Sequence, residues 1–312
     1  MKMKTQILAI LALGLLAGPI AVQAQYDYEL IDYPGADDTT AFGINDRGQV
    51  AGNGNTALDS FPFVYDSKKG TLTDVAPIAG FEFTAVLGIS DSGVLVGSVF
   101  DDVLLKESGL IIHKDGSATV FDHPDAVSFT QARGVNNDGL VTGFRDSADD
   151  QFLPENGFIY DPETDTFTDI VPSIFTIAQG INSQGEVVGS SNFLAADDPC
   201  PGLGNPFLRY GWLRATDGTV TYFEVNGSHT SARGISDQGA IVGFFIDLND
   251  GKFKGFKVKL DGSPCQSLTV TGGDVLEIPG FDLFPQGITN SGVVAGIADD
   301  GINQHGFIAR PE

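Results

Sequence analysis

A ten-residue pattern that recurs six times constrains the fold of this chain more than any other feature. In each copy, a glycine and a β-branched residue are followed by Asn, Ser or Thr, by a second glycine three residues later, and by a mostly apolar run that ends in a third glycine. The copies begin at Gly43, Gly88, Gly134, Gly180, Gly234 and Gly287, and successive copies are 45, 46, 46, 54 and 53 residues apart. A fixed period in this range is typical of an array of one supersecondary unit.

The chemistry of each copy predicts a β-hairpin. The side chain of Asn, Ser or Thr can bond the backbone of the turn it opens, and the second glycine accepts a positive φ without steric cost. These second glycines are Gly48, Gly93, Gly139, Gly185, Gly239 and Gly292. The apolar run that follows suits a return strand.

Two further strands follow each hairpin, and together they predict a six-bladed all-β propeller of four-stranded blades. A third strand is centred on Gly-Phe or its equivalent, as in Gly157-Phe158, and a fourth follows a tight turn, as at residues 166–170. The last repeat stops after its third strand, whereas residues 28–34 read as an isolated fourth strand ahead of the first hairpin. The N-terminal strand should therefore complete the last blade and close the ring, which removes exposed sheet edges.

The repeat resembles that of a known family. Gly180-Ile181-Asn182, the downstream Val187-Val188-Gly189 and the triplet His305-Gly306-Phe307 are similar to the repeats of the HAF family of extracellular repeat proteins. The resemblance spans nearly the whole chain after residue 24. It implies an exported, repeat-built protein without an assigned activity, and it transfers no catalytic residue.

The N-terminus predicts a signal peptide at residues 1–24 and a single propeller domain at residues 25–312. Lys2 and Lys4 precede an apolar run at residues 7–16, and small residues precede the expected cleavage after Ala24. Cleavage would remove these two lysines and so change the formal charge from −24 to −26. We therefore expect a secreted or periplasmic monomer that neither inserts into a membrane nor binds nucleic acid, which requires basic surface.

Six long segments should lie on one face of the ring, here called the long-loop face, while the hairpin turns lie on the opposite, hairpin face. Long loops held by a rigid scaffold often carry function. The long segments are residues 53–61, 98–108, 145–156, 191–209, 245–254 and 297–305. They carry the aspartates Asp59, Asp101, Asp102, Asp146, Asp149, Asp150, Asp197, Asp198, Asp247, Asp250, Asp299 and Asp300.

The best candidate for a metal site is the stretch Asp247, Asn249 and Asp250. Its spacing partly imitates a calcium loop, although the distal bidentate glutamate is lacking. The other interpretation is that these side chains are solvated surface. No cofactor is required by the sequence, and Ca²⁺ is the one candidate.

A second candidate site precedes the hairpins. Arg133, Gln179, Arg233 and Gln286 each stand immediately before the first glycine of a repeat, and on innermost strands they could approach the mouth of the central channel as ligand-binding residues. A little earlier in the same strands, an aromatic residue and a threonine recur in register, as in Phe129-Thr130 and His229-Thr230. The recurrence favours inter-blade core for the phenylalanines.

Two functions remain open at this point. The first is a non-catalytic binding or interaction module for a glycan, a peptide or a surface protein. The second is a propeller hydrolase, sialidase-like or phytase-like, that uses an arginine cluster and carboxylates on the long-loop face. The distinguishing observation is whether at least three arginines converge with a carboxylate in one pocket; the arginines in question are Arg133, Arg145, Arg209, Arg214 and Arg233.

The two cysteines, Cys200 and Cys265, leave a disulfide open. An even count in an exported chain favours a bridge. The strand order, however, places Cys200 in a long-face loop and Cys265 at the opposite face, so bridging requires that one insertion folds over the rim.

Overall fold

The strands of this chain form six sheets that surround a central channel, which confirms the six-bladed β-propeller. The computed structural model describes residues 26–147, 155–170 and 175–312, so the predicted signal peptide at residues 1–24 lies outside the described residues. We number the blades 1 to 6 by the chain order of their innermost strands. Within the described residues, the one helical element is a short 3-10 turn at Gly272–Asp274, and no helix there is long and apolar enough to cross a membrane.

Each blade has four strands that lie side by side, with the first strand at the channel and the fourth at the rim. The innermost strands of blades 1 to 6 are β2 (Asp38–Ile44), β6 (Phe83–Ile89), β10 (Thr130–Val135), β14 (Phe175–Ile181), β18 (Thr230–Ile235) and β23 (Asp282–Ile288). The second strands are β3 (Gln49–Asn55), β7 (Leu95–Asp101), β11 (Val141–Arg145), β15 (Val187–Asn192), β19 (Ile241–Ile246) and β24 (Val294–Asp299). The third strands are β4 (Ser60–Asp66), β8 (Lys106–Ile112), β12 (Asn156–Asp161), β16 (Arg209–Arg214), β20 (Phe253–Val258) and β25 (Gln304–Pro311). The fourth strands are β5 (Thr71–Asp74), β9 (Ala118–Phe121), β13 (Thr166–Ile170), β17 (Val220–Val225), β22 (Val275–Leu276) and, for blade 6, β1 (Tyr26–Ile31).

The N-terminal strand closes the ring as the sequence predicts. β1 pairs antiparallel with β25, from Tyr26 opposite Pro311 to Ile31 opposite Gly306. Blade 6 therefore consists of three strands from the end of the chain and one from its start.

The core lies between neighbouring blades and is built around one position of the third strand. The residue that follows the third-strand glycine, or Pro62 in blade 1, is fully buried in every blade. These residues are Phe63, Leu110, Phe158, Trp212, Phe256 and Phe307. Large side chains at this position fill the wedge-shaped space between two sheets, and each fully buried ring contributes roughly 1.5–3 kcal/mol of transfer free energy.

The first two glycines of the repeat have different structural roles. The second glycines adopt φ between 73° and 93°, which confirms the predicted turn geometry. The first glycines lie where innermost strands of neighbouring blades meet. A Cβ atom on Gly43 would lie 3.1 Å from Gly88 Cα, and one on Gly234 would lie 2.9 Å from Gly287 Cα. The first glycine is therefore required by close approach of backbones around the channel.

The third glycine of the repeat allows the second strand to pass the carbonyl groups of the first. A Cβ atom on Gly97 would lie 1.9 Å from the carbonyl oxygen of Ala85. We expect Gly97→Ala to lower the free energy of unfolding by about 3 kcal/mol or more, because backbone must move to admit the methyl group. Urea unfolding would measure this loss. Gly202→Ala is the matched control, since its Cβ would have no atom within 4 Å; an equal effect of both changes would contradict the explanation.

Hydrogen bonds between neighbouring hairpin turns join the blades on the hairpin face. The backbone N–H of Asp46 donates to Asp91 Oδ1 at 2.7 Å, and that of Asn290 donates to Asp46 Oδ1, also at 2.7 Å. Between blades 4 and 5, the N–H of Ser183 donates to Asp237 Oδ1 at 2.8 Å. The polar residues of the repeat thus connect consecutive blades as well as opening their own turns.

Blade 4 departs from the expected pattern because it gains a fifth strand. β21 (Cys265–Leu268) leaves blade 5 and pairs parallel with β17, from Tyr222 opposite Cys265 to Val225 opposite Leu268. This excursion brings Cys265 to Cys200, and the two form a disulfide with a Cα–Cα distance of 5.8 Å. Cys200 packs there with Phe193 and Tyr210. The insertion therefore crosses the rim, which the sequence left open.

The disulfide should contribute measurably to stability because its cysteines are 65 residues apart in the chain. Closing a loop of this length in the unfolded state corresponds to about 4 kcal/mol in the chain-entropy treatment. We expect Cys200→Ser with Cys265→Ser to lower the free energy of unfolding by about 2–4 kcal/mol. Urea unfolding of the variant and of the oxidised protein measures the difference, and an unchanged midpoint would contradict this role.

Candidate anion-binding site

A β-bulge occurs at the same place in all six innermost strands. The pairing register with the second strand shifts across the residue that precedes the first glycine, for example between Ala132 and Gly134. The bulged residues are Phe42, Leu87, Arg133, Gln179, Arg233 and Gln286. A bulge redirects a side chain out of the regular alternation. All four residues of the predicted ligand-binding set are therefore bulged residues.

Two of the bulged side chains, from blades that are not adjacent, meet across the channel. The guanidinium carbon of Arg133 in blade 3 lies 5.8 Å from the ring centre of Phe42 in blade 1, although these blades are not neighbours. Gln179, between Arg133 and Arg233 in the blade order, is 5% exposed, and its Nε2 has no hydrogen-bond partner among the described residues. Gln286 is partly buried at the equivalent position of blade 6. The predicted residues thus occupy equivalent positions in four blades, and two of them, Arg133 and Arg233, also act on each other electrostatically.

Three arginines in this region are supported by aromatic rings. Arg133 lies 5.2 Å from the ring centre of Phe144, Arg233 lies 5.0 Å from that of Phe244, and Arg209 lies 5.4 Å from that of Phe175. Such cation–π contacts position a guanidinium without using its N–H donors. In the parts of the chain that the structure describes, none of the three forms a side-chain hydrogen bond or an ion pair, and their Nε atoms are buried without a partner.

Glu155 is the carboxylate that lies within electrostatic range of all three arginines. Burial raises its pKa, while the positive charges of Arg133, Arg209 and Arg233 oppose that shift. Burial in turn lowers the pKa of Arg133 to about 10, and burial together with repulsion from Arg133 and Arg209 lowers the pKa of Arg233 to about 9. Arg133 and Arg233 therefore remain charged at neutral pH. Glu107 also acts on Arg133, so three guanidiniums face two carboxylates and the site remains net positive in a chain with a formal charge of −24.

His229 forms part of the wall of this site and is neutral at pH 7. Burial lowers its pKa to about 4, and the charges of Arg209 and Arg233 act in the same direction. Its ring stacks on Phe244 with a centroid distance of 6.1 Å. The aromatic positions that the sequence favoured as inter-blade core are thus partly site residues: Phe175 and His229 contact the arginine region. The threonines that follow Phe129 and His229 are structural, since the hydroxyl groups of Thr130 and Thr230 accept hydrogen bonds from backbone N–H groups.

Three of the five arginines in question therefore converge with a carboxylate, and the other two do not join them. Arg145 is buried elsewhere, with Nη2 3.7 Å from Asp125 and 3.6 Å from Asp169. These aspartates and His123 offer ligand atoms within 4.8 Å of one another, but the guanidinium of Arg145 already supplies the positive charge there. Arg214 ends β16 in blade 4, at the hairpin face. Sequence reasoning named Arg209 without its partners and missed Glu155, because neither occupies a repeated position.

The predicted calcium residues surround a lysine. Lys254 Nζ lies 2.8 Å from Asp247 Oδ2, 3.3 Å from Asp250 Oδ2 and 3.6 Å from Glu277 Oε1. Asn249 donates its side-chain N–H to Asp247 Oδ1 at 2.8 Å. The hydrogen bond from Lys254 also holds the pKa of Asp247 below its ordinary value. A cation at this loop would compete with the ammonium group.

We expect millimolar Ca²⁺ to leave the Tm unchanged, because Lys254 neutralises Asp247 and Asp250. In Lys254→Met the carboxylates lose that partner, so Ca²⁺ should then raise the Tm relative to Mg²⁺. Thermal unfolding with each ion measures this. A Ca²⁺-dependent rise in the unsubstituted protein, removed by Asp247→Ala with Asp250→Ala, would instead establish the calcium site that the sequence proposes.

Most of the other loop aspartates that the structure describes cap turns. Asp101 Oδ1 accepts the N–H of Val103, Asp146 accepts those of Val127, Ser128 and Phe129, and Asp300 accepts that of Ile302. Asp101 and Asp300 thus cap their own turns, while Asp146 joins its segment to residues 127–129, and both kinds of hydrogen bond define loop shape. Asp149 and Asp150 lie outside the described residues.

Comparison with known proteins identifies a family and supports the fold. Residues 21–246 match the model of a family described as protein of unknown function (DUF3466). No curated protein matches the sequence. Among solved structures, a luciferin-regenerating enzyme is similar with a TM-score of 0.53 and 12% identity, over 91% of this chain and 95% of that one.

Two further structures show the same architecture. The tricorn protease aligns with a TM-score of 0.52 and 14% identity, over 87% of this chain and 26% of the protease. The β-propeller domain of the Trilobed protease from Pyrococcus furiosus aligns with a TM-score of 0.50 and 10% identity, over 92% and 85% of the two chains. At these identities the likeness concerns the fold alone.

Proposed function

Because the chain belongs to the DUF3466 family of proteins of unknown function, we propose a function from its site: it is an exported, non-catalytic module that binds an anionic ligand at the long-loop mouth of its channel. The observation that carries this proposal is the convergence of Arg133, Arg209 and Arg233 on Phe rings, without an ion pair among the described residues. The export rests on the signal peptide predicted at residues 1–24. The resemblance to the HAF repeats stays a prediction of the same kind.

The physical basis is the imbalance of charge in a half-buried place. Three guanidiniums offer a forked array of donors that matches carboxylate, phosphate or sulfate oxygens, and charge-assisted hydrogen bonds are stronger than neutral ones. Their attraction for an anion is larger in a partly desolvated pocket than at an exposed surface. The acidic remainder of the chain repels anions, so such a ligand would concentrate at this one mouth.

The second candidate function is hydrolysis, and the approach of three arginines to Glu155, the observation by which the sequence distinguishes the two functions, favours it. We place binding first because Glu155 is the one carboxylate acted on by all three arginines, whereas glycoside hydrolysis ordinarily uses a pair of carboxyl groups. A carboxyl group whose pKa is raised by burial can act as a general acid. Its position next to three arginines would place it beside a bound phosphate ester or an anionic glycoside. In this case the arginines hold the substrate, a water molecule attacks the phosphorus or the anomeric carbon, and the bond to the leaving oxygen breaks as Glu155 transfers a proton to that oxygen; the proton released by the water restores the Glu155 carboxyl group.

The test is a screen of anions on the protein with residues 1–24 removed. Citrate, glucuronate, sialic acid, phosphate and sulfate are added singly, and both the Tm and the heat of binding are measured. We expect at least one anion to raise the Tm and to lose this effect in Arg233→Ala. No response to any of them would overturn the proposal. Turnover of a phosphate ester, uronide or sialoside that Glu155→Gln abolishes would replace binding by hydrolysis.

A further inference from the structure

A cleft with apolar walls and acidic residues lies beside the arginine site, between blades 1 and 2 on the long-loop face. Its volume is about 600 Å³, within the range of sites for small ligands. Phe61, Phe100, Pro77 and Leu58 supply apolar surface. Leu58 is 92% exposed at the tip of its loop, so this apolar surface extends to the rim of the cleft. An apolar group of a ligand would be desolvated here.

The acidic residues of this cleft have no basic partners. Asp59, Glu82 and Glu107 line it, and in residues 26–147, 155–170 and 175–312 no lysine, arginine or histidine lies within 4.0 Å of their carboxylates. Glu107 accepts a hydrogen bond from Gln131 Nε2 at 2.7 Å and interacts with the charge of Arg133 without forming an ion pair with it. The cleft would therefore attract a cationic group of a ligand.

The cleft and the arginine site are adjacent. Glu107 lines the cleft, and its charge acts on Arg133 by opposing the fall of the arginine pKa. Gln131, which binds Glu107, stands two residues before Arg133 on β10. Its Oε1 is buried without a hydrogen-bond partner among the described residues, as is Nε2 of the 5%-exposed Gln179 on the arginine side. One unsatisfied polar atom thus belongs to the residue that bonds Glu107, and the other to a residue whose blade lies between those of Arg133 and Arg233.

We infer that the ligand is a short peptide with a free C-terminal carboxylate, a basic side chain and a large apolar side chain. This inference rests on the proposed function. The carboxylate binds between Arg133 and Arg233, the basic side chain faces Glu107 and Glu82, and the apolar side chain packs between Phe61 and Phe100. Because neighbouring parts of the site carry opposite charges, they select a ligand that carries both charges. A simple anion is disfavoured, since the acidic residues of the cleft repel it.

The experiment uses three matched tetrapeptides and isothermal calorimetry. The first is Ala-Leu-Lys-Ala with a free carboxyl terminus, the second is its C-terminal amide, and the third carries norleucine in place of lysine. We expect the first to bind about tenfold tighter than either of the others, since each lacks one charge-assisted contact. Glu82→Gln with Glu107→Gln should weaken the lysine peptide about tenfold and leave the norleucine peptide unchanged. Glu163→Gln, in an exposed turn on the hairpin face, is the control.

The outcomes separate this inference from the proposed function. If citrate binds in an Arg233-dependent manner while the three peptides bind equally or not at all, the peptide inference is wrong and the anion site stands. If neither citrate nor any peptide responds to Arg233→Ala, both are wrong. The Tm of each variant without ligand shows whether it is folded. Equal affinity of the amide and the free acid is by itself sufficient to reject the inference.

Discussion

Removal of residues 25–34 should abolish the cooperative unfolding transition of this protein. The reference is the protein that begins at residue 25, which should unfold cooperatively at its own Tm. These residues include the whole of β1, which supplies the outermost strand of blade 6. Their removal exposes the edge of β25 from Gly306 to Pro311 and takes away two side chains that are buried in the intact ring, those of Tyr26 and Ile31, which are 7% and 4% exposed. We expect a loss of more than about 5 kcal/mol, which is comparable with the whole stability of many domains.

Thermal unfolding followed by circular dichroism measures this loss, and two point substitutions control for the truncation itself. Ile31→Ala should cost about 2–5 kcal/mol because Ile31 is buried between blades 6 and 1. Leu30→Ala should cost less than about 1 kcal/mol, because Leu30 is 43% exposed on the other side of the strand. A truncated protein with an unchanged Tm would show that the ring does not depend on this closure.

Replacement of Arg133 or Arg233 by Ala should lower the affinity for the anion found by screening by about 10- to 100-fold, the equivalent of a hydrogen bond to a charged group. Arg233→Ala should in addition raise the stability of the ligand-free protein, because Arg133 and Arg209 repel the Arg233 guanidinium. Calorimetry and urea unfolding measure the two effects. Opposite signs for affinity and stability distinguish a binding residue from a structural one.

Arg47→Ala is the matched control for this prediction, since Arg47 is exposed in a turn on the hairpin face. It should change neither the affinity nor the stability.

The affinity for the anion should also rise as the pH falls, because the pKa of Glu155 is raised and its protonation removes the negative charge that competes with the anion. Glu155→Gln should reproduce this gain at neutral pH and flatten the pH dependence. A fall in both affinity and stability in Arg233→Ala would contradict the proposed site.

The fold could be predicted from the sequence because the same strand and turn patterns occur in every repeat. Six hairpins, six buried third-strand positions and complementary chain ends indicate the same architecture independently. The parallel strand β21 could not be predicted, because Cys265–Leu268 occurs in one repeat and its partner β17 belongs to another blade. Leu30 is apolar and adjacent to Ile31, which favours burial of both side chains; strand alternation instead turns Leu30 to solvent while Ile31 is buried.

The site was predictable only where it coincides with the repeat. Arg133, Gln179, Arg233 and Gln286 share a repeated position, so their common environment followed from the alignment of the copies. Arg209 and Glu155 come from a third strand and a loop end, and their approach to the channel depends on the three-dimensional arrangement of blades 3 and 4. No periodicity contains that information. The same holds for Lys254, whose three carboxylate neighbours come from two segments of the chain.

The bulge in the innermost strands has a consequence for how such a protein can change over time. Close backbone contact fixes the glycine that follows the bulged residue, as the 2.5 Å approach of a Gly88 Cβ to the Arg133 carbonyl oxygen illustrates. The bulged side chain itself is under no such constraint, and the six positions hold Phe, Leu, Arg, Gln, Arg and Gln. Ligand preference can therefore diverge between related chains by single substitutions at these positions while the ring is inherited intact.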